Sequence, residues 1–167
     1  GIANLIRRRG SNCLTMLGHG LRGVHSASLT RVASEFENEL MALVAIVDDR
    51  VTNRKIFSKL AASIASDVTV RAFAEPRSAL AWLKDHTPDL IVTDYNMPEM
   101  DGADFVRALR AIPANADVPV VVITVYEERS YRLRALEAGA TDFLNSPVDH
   151  HEFVTRTRNL LALRRHQ

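Results

Sequence analysis

One cysteine, Cys13, stands in 167 residues. No disulfide framework can be built on it, and a reducing compartment, the cytoplasm, is expected. No apolar run approaches the ~20 residues of a membrane-spanning helix. No internal repeat and no low-complexity tract interrupts the chain. Acidic residues are missing from residues 1–34, which hold Arg7, Arg8, Arg9, Arg22 and Arg31. The remaining residues carry 16 Lys and Arg against 20 Asp and Glu. The overall charge of +1 therefore hides a basic start and a mildly acidic body. What is present is globular in composition, 47% hydrophobic and 25% charged, with room for one ordinary domain and an appendage.

Residues 1–41 read as an N-terminal basic extension. An Arg-rich, acid-free start is compositionally similar to a mitochondrial transit peptide. A disordered arm, or upstream sequence outside the native protein, is the preferred reading, with Met41 close to the native start. A short helix over residues 29–40 would place Leu29, Val32, Ala33 and Phe36 on one face.

From residue 42 the pattern alternates strand and helix. Strands are expected at about 43–47, 68–73, 89–94, 119–124 and 141–144. Helices are expected from Asn53 to about Ala65 with Thr52 as N-cap, from Glu75-Pro76 to about His86, and from Gly102 to before Pro113. Two more are expected at about 127–138, stopped by Gly139, and from about Asp149 to Leu163. Five such repeats make an α/β domain with a parallel sheet covered on both faces.

Three strands end on polar groups. Leu43-Val44-Ala45-Ile46-Val47 runs into Asp48-Asp49, Leu90-Ile91-Val92-Thr93 into Asp94, and Val120-Val121-Val122-Ile123 into Thr124. The carboxyl ends of parallel strands are where open α/β sheets place their chemistry. Adjacent buried carboxylates repel, and a hard cation relieves them. Mg²⁺ suits an all-oxygen site that leaves positions for water and phosphate. After Asp94, Asn96-Met97-Pro98-Glu99-Met100-Asp101-Gly102 is a turn-rich loop that starts the next helix.

These residues, with Gly139-Ala140-Thr141-Asp142-Phe143-Leu144-Asn145-Ser146-Pro147, resemble the receiver domain of two-component response regulators over residues 42–164. The resemblance implies a doubly wound, flavodoxin-like, five-stranded parallel sheet of order 2-1-3-4-5. It implies a phosphoacceptor at Asp94, phosphorylated by a sensor histidine kinase. It places Mg²⁺ on Asp48, Asp49, Asp94 and the backbone carbonyl of Asn96, with Asp48 acting through water. Thr124 would bond the phosphoryl group, and Phe143 would be the switch aromatic. Lacking a hydroxyl, Phe143 has no polar reason of its own to stay outside. The face made by the fourth helix, fifth strand and fifth helix is implied as a homodimer or partner surface. Residues 165–167 would begin a linker to an output module. The tail from Arg158 is similar to the connection in receivers of cyclic di-GMP phosphodiesterases of the HD-GYP type.

One departure bears on the chemistry. The family's lysine before the proline of the last βα loop is Ser146 here, which can hydrogen-bond but carries no charge. Arg50 is a candidate replacement. The alternative function is a degenerate receiver that docks on a partner regardless of phosphate. Val125 and Tyr126 follow Thr124, where bulk would narrow access to Asp94 and slow hydrolysis. A haloacid-dehalogenase-type phosphatase fits poorly, because Asp94 ends the third strand and Asn96 stands where that family wants a second Asp. No turnover enzyme, direct nucleic-acid contact or membrane contact is expected of this chain. His19, His25, His86, His150, His151 and His166 show no metal-ligand spacing.

Overall fold

A computed structural model describes residues 41–125 and 129–166. Residues 1–40, with the helix expected over 29–40, lie outside the described residues, as do Tyr126 and the last residue. Five strands, β1 (Ala42–Val47), β2 (Val68–Phe73), β3 (Leu90–Asp94), β4 (Val120–Thr124) and β5 (Asp142–Asn145), alternate with helices α1 (Val51–Ala62), α2 (Pro76–Leu83), α3 (Gly102–Arg110), α4 (Arg129–Glu137) and α5 (His150–Arg165). All pairings are parallel, in the order β2-β1-β3-β4-β5. The expected fold class and strand order are observed. No helix among the described residues is long and apolar enough to cross a membrane.

The central strands are apolar on both faces because both faces are covered. Ile46, Leu90, Val92, Val121 and Ile123 share one core with Phe57 and Ala61 of α1 and Phe153 and Leu161 of α5. Ala45, Val47, Ile91, Val120 and Val122 share the other with residues of α2, α3 and α4. Strand periodicity of two sends successive side chains to opposite layers. Parallel pairing in register, Val47 opposite Thr93 and Asp94 opposite Ile123, carries residues 48, 94 and 124 to one common edge.

Helix boundaries depart from the sequence expectation for local reasons. The N-cap of α1 is Arg50, not Thr52, and it has no side-chain cap. Its N–H is instead taken by Asp48 Oδ1 at 2.9 Å, which starts the helix earlier. α1 stops at Ala62, where the Ser63 hydroxyl turns back onto the Leu60 carbonyl at 2.7 Å. α2 stops at Leu83 rather than His86, whose ring Nδ1 lies 2.9 Å from the Trp82 carbonyl. α5 starts beside Asp149 as expected, and the structure adds that Asp149 caps it, accepting from the Glu152 N–H at 2.8 Å.

Arg110 closes the α3–α4 side of the domain. Its guanidinium donates to the carbonyls of Gly139, Asn115 and Val118. Lysine keeps the charge but not the fork. Arg110→Lys should lower unfolding stability by about 1–2 kcal/mol, read by urea denaturation at unchanged slope.

Candidate functional site

Asp48 and Asp49 follow β1 directly, and Asp94 is the last residue of β3. β1 and β3 are neighbours, with Val47 opposite Thr93. One oxygen from each of the three carboxylates therefore falls within 4.8 Å of the others. Asp48 and Asp94 are buried, at 1% and 8% exposure. Asp48 Oδ2 and Asp49 Oδ1 are buried without a hydrogen-bond partner. A buried anionic oxygen with nothing to accept from is costly unless a cation meets it. The donor set is all oxygen and trianionic, which fits a hard divalent ion such as Mg²⁺.

Electrostatics tell the same story. Burial raises the Asp48 carboxyl above its ordinary value, against a hydrogen bond from the Arg50 backbone. Asp94 is pushed up to about 6, first by burial and then by the charge of Asp48. The Asn96 N–H and the Arg50 charge pull it partly back. Asp94 is thus held against both its own burial and the charge of its neighbour Asp48.

Backbone contacts hold the trio together. Arg54, one turn into α1, donates from Nη1 to the Asp48 carbonyl at 2.8 Å and the Asp49 carbonyl at 3.1 Å. The acceptor loop folds back on β3, with the Gly102 N–H on the Tyr95 carbonyl at 2.7 Å. A Cβ on Gly102 would stand 2.8 Å from both the Asp94 carbonyl oxygen and Tyr95 Cα, so only glycine permits this approach. Asp101 caps α3 by accepting from the Asp104 N–H at 2.8 Å, and its other oxygen pairs with Arg134 of α4 at 3.5 Å. Tyr95 meets Tyr131 of α4 edge-on at 5.3 Å.

Thr124 ends β4 beside Asp94, buried at 2%. Its carbonyl accepts the Ser146 N–H at 2.8 Å, which brings the uncharged loop after β5 to the same edge. Val125 is exposed, at 43%. Phe143 is half-buried on β5, and the Arg132 guanidinium lies 4.9 Å over its ring. Arg132 also reaches Asn145 Oδ1 at 3.2 Å. This corrects the expectation that Phe143 has no polar reason to stay outside: its π face holds a cation there. The Asp48, Asp49, Asp94 and Thr124 positions thus share one edge.

Sequence reasoning missed Arg54, the Arg132–Phe143 contact and the Tyr95–Tyr131 pair. Arg54 had a local signal, because residues 50, 53 and 54 share one face of the first helical turn. The other two join residues on different elements and had none.

Known proteins are similar to this chain. The response regulator receiver domain model matches residues 44–158. The cyclic di-GMP phosphodiesterase response regulator RpfG of Xanthomonas campestris is 39% identical over 142 residues, covering 85% of this chain and 37% of that protein. Response regulator PleD of Caulobacter vibrioides is 36% identical over 122 residues, covering 72% of this chain and 26% of its own length. The chain thus spans little more than a third of these relatives, or less. Among solved structures, chemotaxis response regulator CheY4 of Vibrio cholerae superposes with a TM-score of 0.66 at 28% identity, covering 72% of this chain and 98% of that one.

Proposed function

The chain belongs to the response regulator receiver family, and from that premise we propose that Asp94 is its phosphoacceptor, served by a sensor histidine kinase and Mg²⁺. The observation that carries this reading is the trio of carboxylates within 4.8 Å, two of whose buried oxygens lack a partner. Asp48, Asp49 and Asp94 would hold the ion, with the Asn96 carbonyl beside them. Mg²⁺ supplies charge neutralisation for an incoming phosphoryl group among three carboxylates.

The remaining chemistry falls to the chain's own groups. An Asp94 carboxylate oxygen attacks the phosphorus of a phosphohistidine. The new P–O bond forms as the P–N bond breaks, and the bonding pair returns to the imidazole nitrogen. Asp94 becomes an acyl phosphate, and attack by water later releases inorganic phosphate and restores the carboxylate. The Thr124 hydroxyl, at the end of the adjacent strand, donates to a phosphoryl oxygen. Ser146 supplies at most a neutral hydrogen bond where a lysine would give a charge-assisted one, worth about 1.5–3 kcal/mol. For Phe143 to turn inward it must leave Arg132, a contact worth about 0.5–2 kcal/mol.

The output side is read from chemistry of the same kind. Leu133 and Leu136 of α4 are exposed, at 52% and 44%. Their exposed apolar surface supports the reading of the α4–β5–α5 face as the contact surface for a second copy or a downstream module. RpfG is named a cyclic di-GMP phosphodiesterase, and control of such an output module is the function we assign to the longer protein.

The test is incubation with Mg²⁺ and acetyl phosphate, followed by intact mass. One phosphoryl adduct is expected on the wild type and none on Asp94→Asn. A wild type that binds Mg²⁺ yet takes no adduct at any donor concentration rejects the reading and leaves the phosphate-independent docking module.

A further inference from the structure

With Ser146 in the last loop, a phosphoryl group on Asp94 lacks the side-chain cation that a lysine there would supply beside Mg²⁺. Most arginines near the cleft are engaged elsewhere. Arg54 is bound to two backbone carbonyls. Arg132 lies over Phe143 and reaches Asn145. Arg134 is paired with Asp101.

Arg50 differs from all three. It follows Asp49 directly and is exposed. Its backbone N–H is held by Asp48 Oδ1 at 2.9 Å, which seats residue 50 at the lip of the carboxylate cluster. Among the described residues its guanidinium makes no hydrogen bond or ion pair. Its charge nevertheless reaches Asp48 and Asp94, lowering both carboxyls against the stronger effect of burial. An exposed, unengaged guanidinium at the mouth of an anionic site is free to move onto an arriving phosphoryl group. Its planar fork matches two phosphoryl oxygens at once.

We propose that Arg50, supplied from the β1–α1 loop, is the cationic ligand of the phosphoryl group in this receiver, standing in for the lysine replaced by Ser146. The proposal rests on the reading of Asp94 as phosphoacceptor. It adds a residue that touches the transferred group.

A double-mutant cycle tests it, using wild type, Arg50→Ala, Ser146→Lys and the double variant. The rate of adduct formation with acetyl phosphate and Mg²⁺ is read by intact mass. Mg²⁺ affinity by calorimetry and melting temperature are measured on each protein. Arg50→Ala should slow adduct formation about tenfold or more, the size of one lost charge-assisted contact. Arg50→Lys should recover part of that. In the Ser146→Lys background the same change should fall below about threefold, since the lysine then supplies the charge. Equal effects in both backgrounds overturn the proposal, as does no effect in either. A matching loss of Mg²⁺ affinity in Arg50→Ala also overturns it, because Arg50 would then act by propping the acid pair. An adduct on Ser146→Lys but none on wild type rejects Arg50 as the ligand, and it shows that Asp94 accepts phosphate only once the lysine is restored, which leaves the wild-type chain as the phosphate-independent docking module. No adduct on any of the four proteins rejects both readings.

Discussion

Asp94→Asn is expected to abolish the phosphoryl adduct and, in the same protein, to raise the melting temperature. The loss follows from chemistry: an amide oxygen cannot displace the donor's leaving group to form a stable acyl phosphate. The gain follows from charge. Folding takes the Asp94 carboxyl from 3.8 up to about 6, chiefly through burial and the neighbouring Asp48. A rise of that size corresponds to about 3 kcal/mol. Water at the sheet edge screens part of it, so a stabilisation of about 1–2 kcal/mol, or roughly 5 °C, is expected for the metal-free variant at pH 7 to 8.

The pH dependence has a definite sign. Between 3.8 and about 6 the folded protein holds the Asp94 proton more tightly than the unfolded chain does. The contribution of Asp94 to stability is therefore most unfavourable above pH 6, and the penalty is relieved as the pH falls toward 4. Comparing wild type with Asp94→Asn by metal-free thermal melts across that range isolates this group. The gap between them should close on acidification. A gap that widens would sink the assignment. Protons and Mg²⁺ compete for the same oxygens, so wild-type Mg²⁺ affinity should fall as the pH drops through 6, approaching tenfold per pH unit for one proton.

Gly102→Ala is expected to destabilise the domain by about 3 kcal/mol and to impair the site together with the fold. The new methyl would meet the Asp94 carbonyl oxygen and Tyr95 Cα, each at 2.8 Å. Both obstacles are backbone, which cannot step aside as a flexible side chain would. Either α3 retreats from the sheet or the end of β3 moves. Retreat of α3 breaks the Gly102 N–H bond to the Tyr95 carbonyl, 2.7 Å in length. Movement of β3 displaces Asp94 itself. Denaturant unfolding should show the loss of stability, and calorimetry on the folded fraction should show weaker Mg²⁺ binding. Ala103→Gly, one residue on, is a useful contrast. Its side chain is fully buried, so its removal leaves a small void and pushes nothing onto Asp94. Weakened Mg²⁺ binding of equal size in both variants would mean that general destabilisation, not displacement of the acceptor, is responsible.

Much of this protein was legible from local pattern. Apolar runs ending in Asp48-Asp49, Asp94 and Thr124 marked strands and the edge that carries polar groups, because a strand's periodicity is a property of neighbouring residues. Gly139 marked the stop after the fourth helix for the same reason. Helix ends were less legible. Thr52 resembled an N-cap, but Asp48 captured the Arg50 N–H and moved the start of α1.

What the sequence by itself determined is the order of elements, the two-faced burial of the sheet and the residue types at its carboxyl edge. Only tertiary structure decided that carboxylates 45 residues apart in the chain, at positions 49 and 94, meet within 4.8 Å. It also decided that Arg54 grips their backbone, that Arg132 covers Phe143 and that Gly102 touches Asp94. The physical reason is register. Strand pairing between β1 and β3 sets which residues share an edge, and it is fixed by the packing of both layers at once rather than by any local stretch.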